Sequence, residues 1–251
     1  MIPFQAWSDQ HLIPLALTVI LSVAILLWAR RLDERQRLLP GRLIALVILA
    51  YILTAYYQRW KDAGLAAVTE ALPLHLCDLV VLICLWAVLS PSQTSFELAY
   101  YWGLAGALQA LLQPDISQGV GFPSWYYLEF FIGHGLIFTA VFYLMAAYRL
   151  RPRPGSVLRA LLALNLYALI VGALDFSFGW NYGYLCSKPA GGSLMDYLGP
   201  WPFYLLSLEV LSAFNFLLLW LPWRVWEGGR AENANLLLTG PSARTPLENE
   251  G

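Results

Sequence analysis

Charge is scarce in this chain. Only 12% of its 251 residues are Asp, Glu, Lys or Arg, about half of what soluble domains carry. So little charge cannot solvate the outside of a soluble globule, which excludes a soluble enzyme and an unfolded polar chain alike. The net charge of −1 gives no field to steer a polyanion, which excludes a nucleic-acid partner. Histidine is scarcer still: His11, His75 and His134 are the whole supply. That is too few for a membrane di-iron centre, and no HExxH helix is present for zinc. No glycine-rich phosphate loop is found, so neither a metal nor another cofactor is expected. The two lysines, Lys61 and Lys188, both fall outside the apolar runs, which excludes a retinal Schiff base in the last span. No period of 20–50 residues repeats, which excludes a solenoid. What the chain has instead is apolar surface, 59% of its residues, with 15% aromatic.

That surplus is arranged in long runs. A bilayer core takes about 20 mostly apolar residues per helix. Such runs are Leu12–Trp28, Leu43–Trp60, Leu74–Leu89, Phe96–Gln113, Trp125–Tyr148, Val157–Gly179 and Trp201–Trp223, the third being short. Breaks between them carry charge or turn residues, as in Arg30–Arg35, Ser90-Pro91-Ser92, Pro114-Asp115 and Arg151–Gly155. The predicted fold is an all-α integral membrane protein, a single bundle of about seven transmembrane helices over residues 1–227. With the N-terminus outside, twelve Lys and Arg residues fall on inner segments and only Arg59, Lys61 and Lys188 on outer ones. The positive-inside rule therefore predicts N-terminus outside and C-terminus inside. The first run has no basic N-flank and no small-residue cleavage site, so it is not expected to be a cleaved signal peptide. Residues 228–251 turn polar and rich in Gly, Asn and Pro, and are expected to form a disordered cytoplasmic tail.

Ionisable and amide side chains within apolar runs are costly and point to function by default. The candidates among them are His75, Cys77, Asp78, Gln109, Gln113, Glu129, His134, Asn165, Asp175, Glu209 and Asn215, with Asn181 just beyond the sixth run. On the expected topology most of them lie in the outer half of the membrane, so separate helices converge on one layer. Asn165, Gln109, Glu209 and Asn215 also fit a plain structural role as interhelical hydrogen-bonding groups. Trp125, Tyr126, Tyr127, Trp201 and Tyr204 fit interfacial anchors.

Cys77 sits early in a helix that Pro73 can start. A helix N-terminus carries partial positive charge, which favours a thiolate. His134, flanked by Gly133 and Gly135, is the candidate base, with Asp78 or Glu129 to orient its ring. A Cys–His pair of this kind suits acyl transfer through a thioester. His75 is two residues from Cys77 and faces elsewhere on the helix, while its spacing of three reaches Asp78. Two other readings of Cys77 stay open: an inert buried thiol, and a disulfide with Cys186 in the outer connection.

Several motifs occur together: PLHLCD at 73–78, ELAYYWGLAGALQALLQ at 97–113 followed by Pro114-Asp115, FFIGHG at 130–135, NYGYLC at 181–186 followed by Lys188-Pro189, and GPWPFY at 199–204. In order and spacing, from about Leu72 to Pro222, they resemble the YwaF-like bacterial integral membrane proteins and their animal TMEM164-like relatives. The resemblance implies a multi-span helical bundle in a bacterial plasma membrane. Its animal branch further implies an acyltransferase that remodels phospholipids, with its Cys and His mapping onto Cys77 and His134. Phospholipid and lysophospholipid are then the expected partners. His75, Asp78, Gln109, Gln113, Glu129, Asp175 and Asn181 are the candidate substrate contacts. A lipid- or small-molecule-binding bundle without catalysis, as a receptor or transporter component, is the second reading of the same residues.

Overall fold

A computed structural model describes residues 2–116, 119–189 and 194–239, with the backbone alone at 66–70, 194 and 226–239. Among the described residues the structure is helical and contains no β-strand. Five helices are long and apolar enough to cross a membrane. They are α1 (Asp9–Ala29), α2 (Leu38–Glu70, apolar to Leu65), α6 (Trp125–Ala147), α7 (Ser156–Phe178) and α8 (Phe203–Thr239). Two shorter pieces, α4 (Gln93–Leu98) and α5 (Leu104–Leu112), join through a π-helical turn at Ala99–Gly103. The joining residues Leu98, Gly103 and Leu104 keep right-handed helical angles, so residues 93–112 run as one helix about 30 Å long at 1.5 Å per residue. The remaining apolar helix is α3 (Leu76–Leu89). All seven apolar runs are thus helices. Helix α8 continues past residue 227 to Thr239, and residues 240–251 lie outside the described residues.

Contacts at the helix ends show an alternating, antiparallel arrangement. At one end the His11 Nε2–H donates to the Leu111 carbonyl (2.7 Å), joining the start of α1 to the end of α5. The Tyr127 hydroxyl donates to the Gln10 carbonyl (2.6 Å), joining the start of α6 to the start of α1. That second bond repairs a defect. Pro14, inside α1, has no N–H to give the carbonyl four residues back, and the phenol takes its place. At the other end Tyr143, late in α6, donates to the Arg37 carbonyl before α2. There the Glu97 carboxylate, only 5% exposed, accepts from Arg153 Nε (3.0 Å) and pairs with Arg159 Nη2 (3.1 Å). Its negative charge holds the Arg153 guanidinium above its ordinary pKa. The arginines of the α1–α2 and α6–α7 connections therefore gather at one end of the bundle.

The core lies where α3, the π-helical turn and α6 meet. Val80, Ala87, Tyr101, Ile137, Val141, Tyr143 and Leu144 are buried there. In contrast Leu46, Leu53, Leu166, Leu169, Phe176, Leu206 and Val210 are exposed on α2, α7 and α8. Large apolar side chains facing outward along several helices are what a lipid solvent requires. Gly103 matters for the close approach of the core helices: a Cβ there would stand 2.7 Å from Ile137 Cγ2. Helix α3, about 21 Å long, is shorter than a hydrocarbon core of about 30 Å. The loop before it, residues 71–73, lines part of the site described below.

Candidate functional site

Three helices contribute faces to one small cavity of about 150 Å³, enough for about five water molecules at their liquid volume. From α2 come Tyr51 and Arg59, eight residues apart and so on one stripe. From α3 come Cys77, Asp78 and Val81. From α6 come Tyr126, Glu129, Phe130, Gly133, His134 and Ile137, which follow the spacing of a single helical face. Asp115, in the loop after α5, completes the lining. A second cavity of about 390 Å³ lies beside it. Both are bounded by Tyr51, Arg59, Asp78, Val81 and Glu129. The outer one is also lined by the loop residues Ala71, Leu72 and Pro73, with His75 and Tyr182.

His134 is 9% exposed. Its Nδ1–H donates to the Phe130 carbonyl one turn back (2.7 Å). A carbonyl can only accept, so the proton of the neutral ring sits on Nδ1 and the lone pair on Nε2. Nε2 is buried and has no hydrogen-bond partner. The imidazole is thus oriented by its own helix. Glu129 does not orient it, because its carboxylate is paired with Arg59 Nη2 at 2.8 Å. Asp78 lies within Coulomb range of Arg59, His75 and His134.

Cys77 is the second residue of α3, after the cap residue His75 and Leu76. It is half-buried and lines the same cavity as His134. All three cysteines are free thiols. Cys186 lines a different groove, between α5, α7 and α8, so the structure does not pair it with Cys77. Cys84 is buried in the core.

The remaining candidates divide. His75 lines the outer cavity, where its Nδ1 accepts from the Gly183 N–H (3.3 Å) and its ring packs on Tyr182 and Tyr184. Asp175 is buried behind it, one oxygen accepting from the Tyr182 N–H (3.0 Å) and the other without a partner. It lines neither cavity. The Asn181 side chain is consumed by its own loop. Its oxygen accepts from the Cys186 and Ser187 N–H groups, and its nitrogen donates to the carbonyl and hydroxyl of Ser187. Gln109 belongs to the α5–α7–α8 groove, with Asn165 and Glu209. Asn165 donates to Glu209 across that groove (2.8 Å), a structural bond between α7 and α8. Gln113 is exposed at the end of α5 and lines neither cavity. Sequence reasoning missed Tyr51, Arg59 and Asp115. Arg59 carried a signal: it is a cation on the end of the bundle that holds few of them. Among the described residues no group of three or more His, Cys, Asp or Glu side chains could hold a metal ion.

Comparison with known families adds one result. The model of the TMEM164 family matches residues 6–220, nearly the whole helical bundle. No curated protein and no solved structure shows significant similarity to the chain. With its run of outward-facing apolar helices, the chain belongs to the TMEM164 family and is an integral, multi-pass membrane protein.

Proposed function

We propose that the protein is a membrane-embedded acyltransferase that remodels phospholipids through a thioester on Cys77, with His134 as base. One observation carries this reading. Cys77 and His134, the only histidine lining the inner cavity among the described residues, border the same small space, and the buried Nε2 of that histidine has no hydrogen-bond partner. The thiol proton passes to Nε2 as sulfur attacks the ester carbonyl of a bound phospholipid. The carbonyl π pair moves to oxygen, then returns as the C–O bond breaks, and the leaving alkoxide takes the proton from Nε2. A lysophospholipid hydroxyl next gives its proton to Nε2 and attacks the thioester. The C–S bond breaks and the thiol is restored. The outer cavity, with His75, Asp78 and Arg59, suits the polar part of the lipid. Exclusion of water by the surrounding lipid favours transfer over hydrolysis.

The positive-inside rule supports an orientation with the site end facing outward. The arginines of the α1–α2 and α6–α7 connections sit at the opposite end, which would face the cytoplasm. The site then occupies the outer half of the bilayer.

Purified protein in lipid nanodiscs, given acyl-labelled phospholipid and an unlabelled lysophospholipid, tests the reading. Label should move to the lysophospholipid with wild type, and not with Cys77→Ala or His134→Ala. Full transfer by either variant contradicts the mechanism.

A further inference from the structure

The cavity has a base and a nucleophile, but attack on an ester also creates an oxyanion, which needs a donor. We propose that the Tyr51 hydroxyl is that donor, a catalytic residue of this site. The inference rests on the acyl-transfer reading above.

Most other polar side chains around the inner cavity are committed or only accept. Arg59 is paired through Nη2 with Glu129. The Tyr126 hydroxyl donates to Asp62 (2.9 Å). His134 Nδ1–H is bound to Phe130. The carboxylate oxygens of Asp78, Asp115 and Glu129 are acceptors. Tyr51 differs. Its hydroxyl reaches the Glu129 carbonyl at 3.3 Å, beyond the usual range of about 2.5–3.0 Å for an O–H···O bond. That carbonyl is also the i−4 acceptor for the helix's own Gly133 N–H. The phenol proton is therefore weakly engaged and can be redirected at little cost.

Its position is equally specific. The hydroxyl rests against the bare Cα of Gly133, the residue before His134. A Cβ at 133 would collide with it. Glycine at this point of α6 admits a phenol oxygen to the helix surface beside the base. Tyr51 borders both cavities and lies within Coulomb range of Cys77. The first amides of α3, including that of Cys77, have no intrahelical acceptor. They can supply a second, backbone donor to the same oxygen. A hydroxyl and a helix-end amide on opposite sides of a carbonyl oxygen form an oxyanion hole.

The test compares Tyr51→Phe, Gly133→Ala and Cys77→Ala with wild type, each as full chain in nanodiscs, in the acyl-transfer assay with kcat and KM separated. Tyr51→Phe keeps the ring and loses only a long hydrogen bond, so its melting temperature should match wild type. Loss of one oxyanion donor lowers kcat by about 10²–10³-fold, with KM changed less than about threefold. Gly133→Ala, which displaces the hydroxyl without removing it, should also lower kcat. If Tyr51→Phe keeps kcat within about threefold of wild type while Cys77→Ala is inactive, the Tyr51 role is overturned and the acyl-transfer reading stands. If Cys77→Ala remains active, the acyl-transfer reading falls and the Tyr51 role falls with it.

Discussion

His134 donates through Nδ1 to the Phe130 carbonyl at 2.7 Å, and this single bond decides the chemistry of the ring. It places the lone pair on Nε2, which is buried and unpartnered, on a residue that lines one cavity with Cys77. A histidine whose tautomer is set by its own helix needs no carboxylate partner to act as a base. His134→Ala should lower acyl transfer by about 10²–10⁴-fold, the usual contribution of general acid–base catalysis. Added imidazole, which fits the vacated space, should restore part of the rate in labelled-lipid assays. A variant as fast as wild type would mean that another group removes the thiol proton.

The Arg59–Glu129 pair ties α2 to α6 across the boundary between the cavities. Removing Arg59 strands a carboxylate whose side chain is only 16% exposed. Arg59→Ala and Glu129→Ala should each destabilise the protein, by about 1–3 kcal/mol for a charge-assisted bond. The double variant should cost less than the sum of the singles. Thermal unfolding in one detergent measures all three. Additive losses would show that the pair does not act as a unit.

How far the sequence carries can be seen by comparing Glu129 with Gln109. Both are polar groups assigned by depth to one layer, yet only Glu129 reaches the cavity. Depth follows from counting residues along an apolar run. Direction around the axis does not, because these helices are apolar on nearly every side and lipid replaces water as solvent. The seven helices were legible for the same reason, since unbroken apolar runs mark length well. Cys77, Asp78 and His134 line one cavity. Tyr51 was not visible as a site residue, because a tyrosine in an apolar run reads as packing. Only the neighbouring Gly133, on another helix, reveals its role.

Asn181 illustrates the opposite outcome. Its polar position and outer location suggest a substrate contact, but its side chain makes four hydrogen bonds within the 181–187 loop. Asn181→Ala should therefore lower thermal stability by about 0.5–1.5 kcal/mol, the net worth of a typical hydrogen bond, since most of these bonds are exposed. KM for phospholipid should stay unchanged. A raised KM with unaltered stability would restore Asn181 to the site.

At the opposite end of the bundle, Glu97 joins two arginines, one on α7 and one before it. Glu97→Gln removes the charge from both pairs and should destabilise more than Arg153→Ala, which leaves Arg159 in place. Chemical unfolding midpoints of the two variants decide the order. Equal midpoints would show that one arginine carries the whole interaction.

The central claim concerns Cys77, and a trapped intermediate tests it most directly. Wild-type protein in nanodiscs is mixed with phospholipid of known acyl composition, without a lysophospholipid acceptor, then denatured in acid and analysed by peptide mass spectrometry. The account predicts a fatty acyl adduct on the peptide carrying Cys77, removable by neutral hydroxylamine as a thioester should be, and missing from Cys77→Ser treated alike. An unmodified Cys77 in protein that is transferring acyl chains would contradict it, as would an adduct found on Cys186 instead.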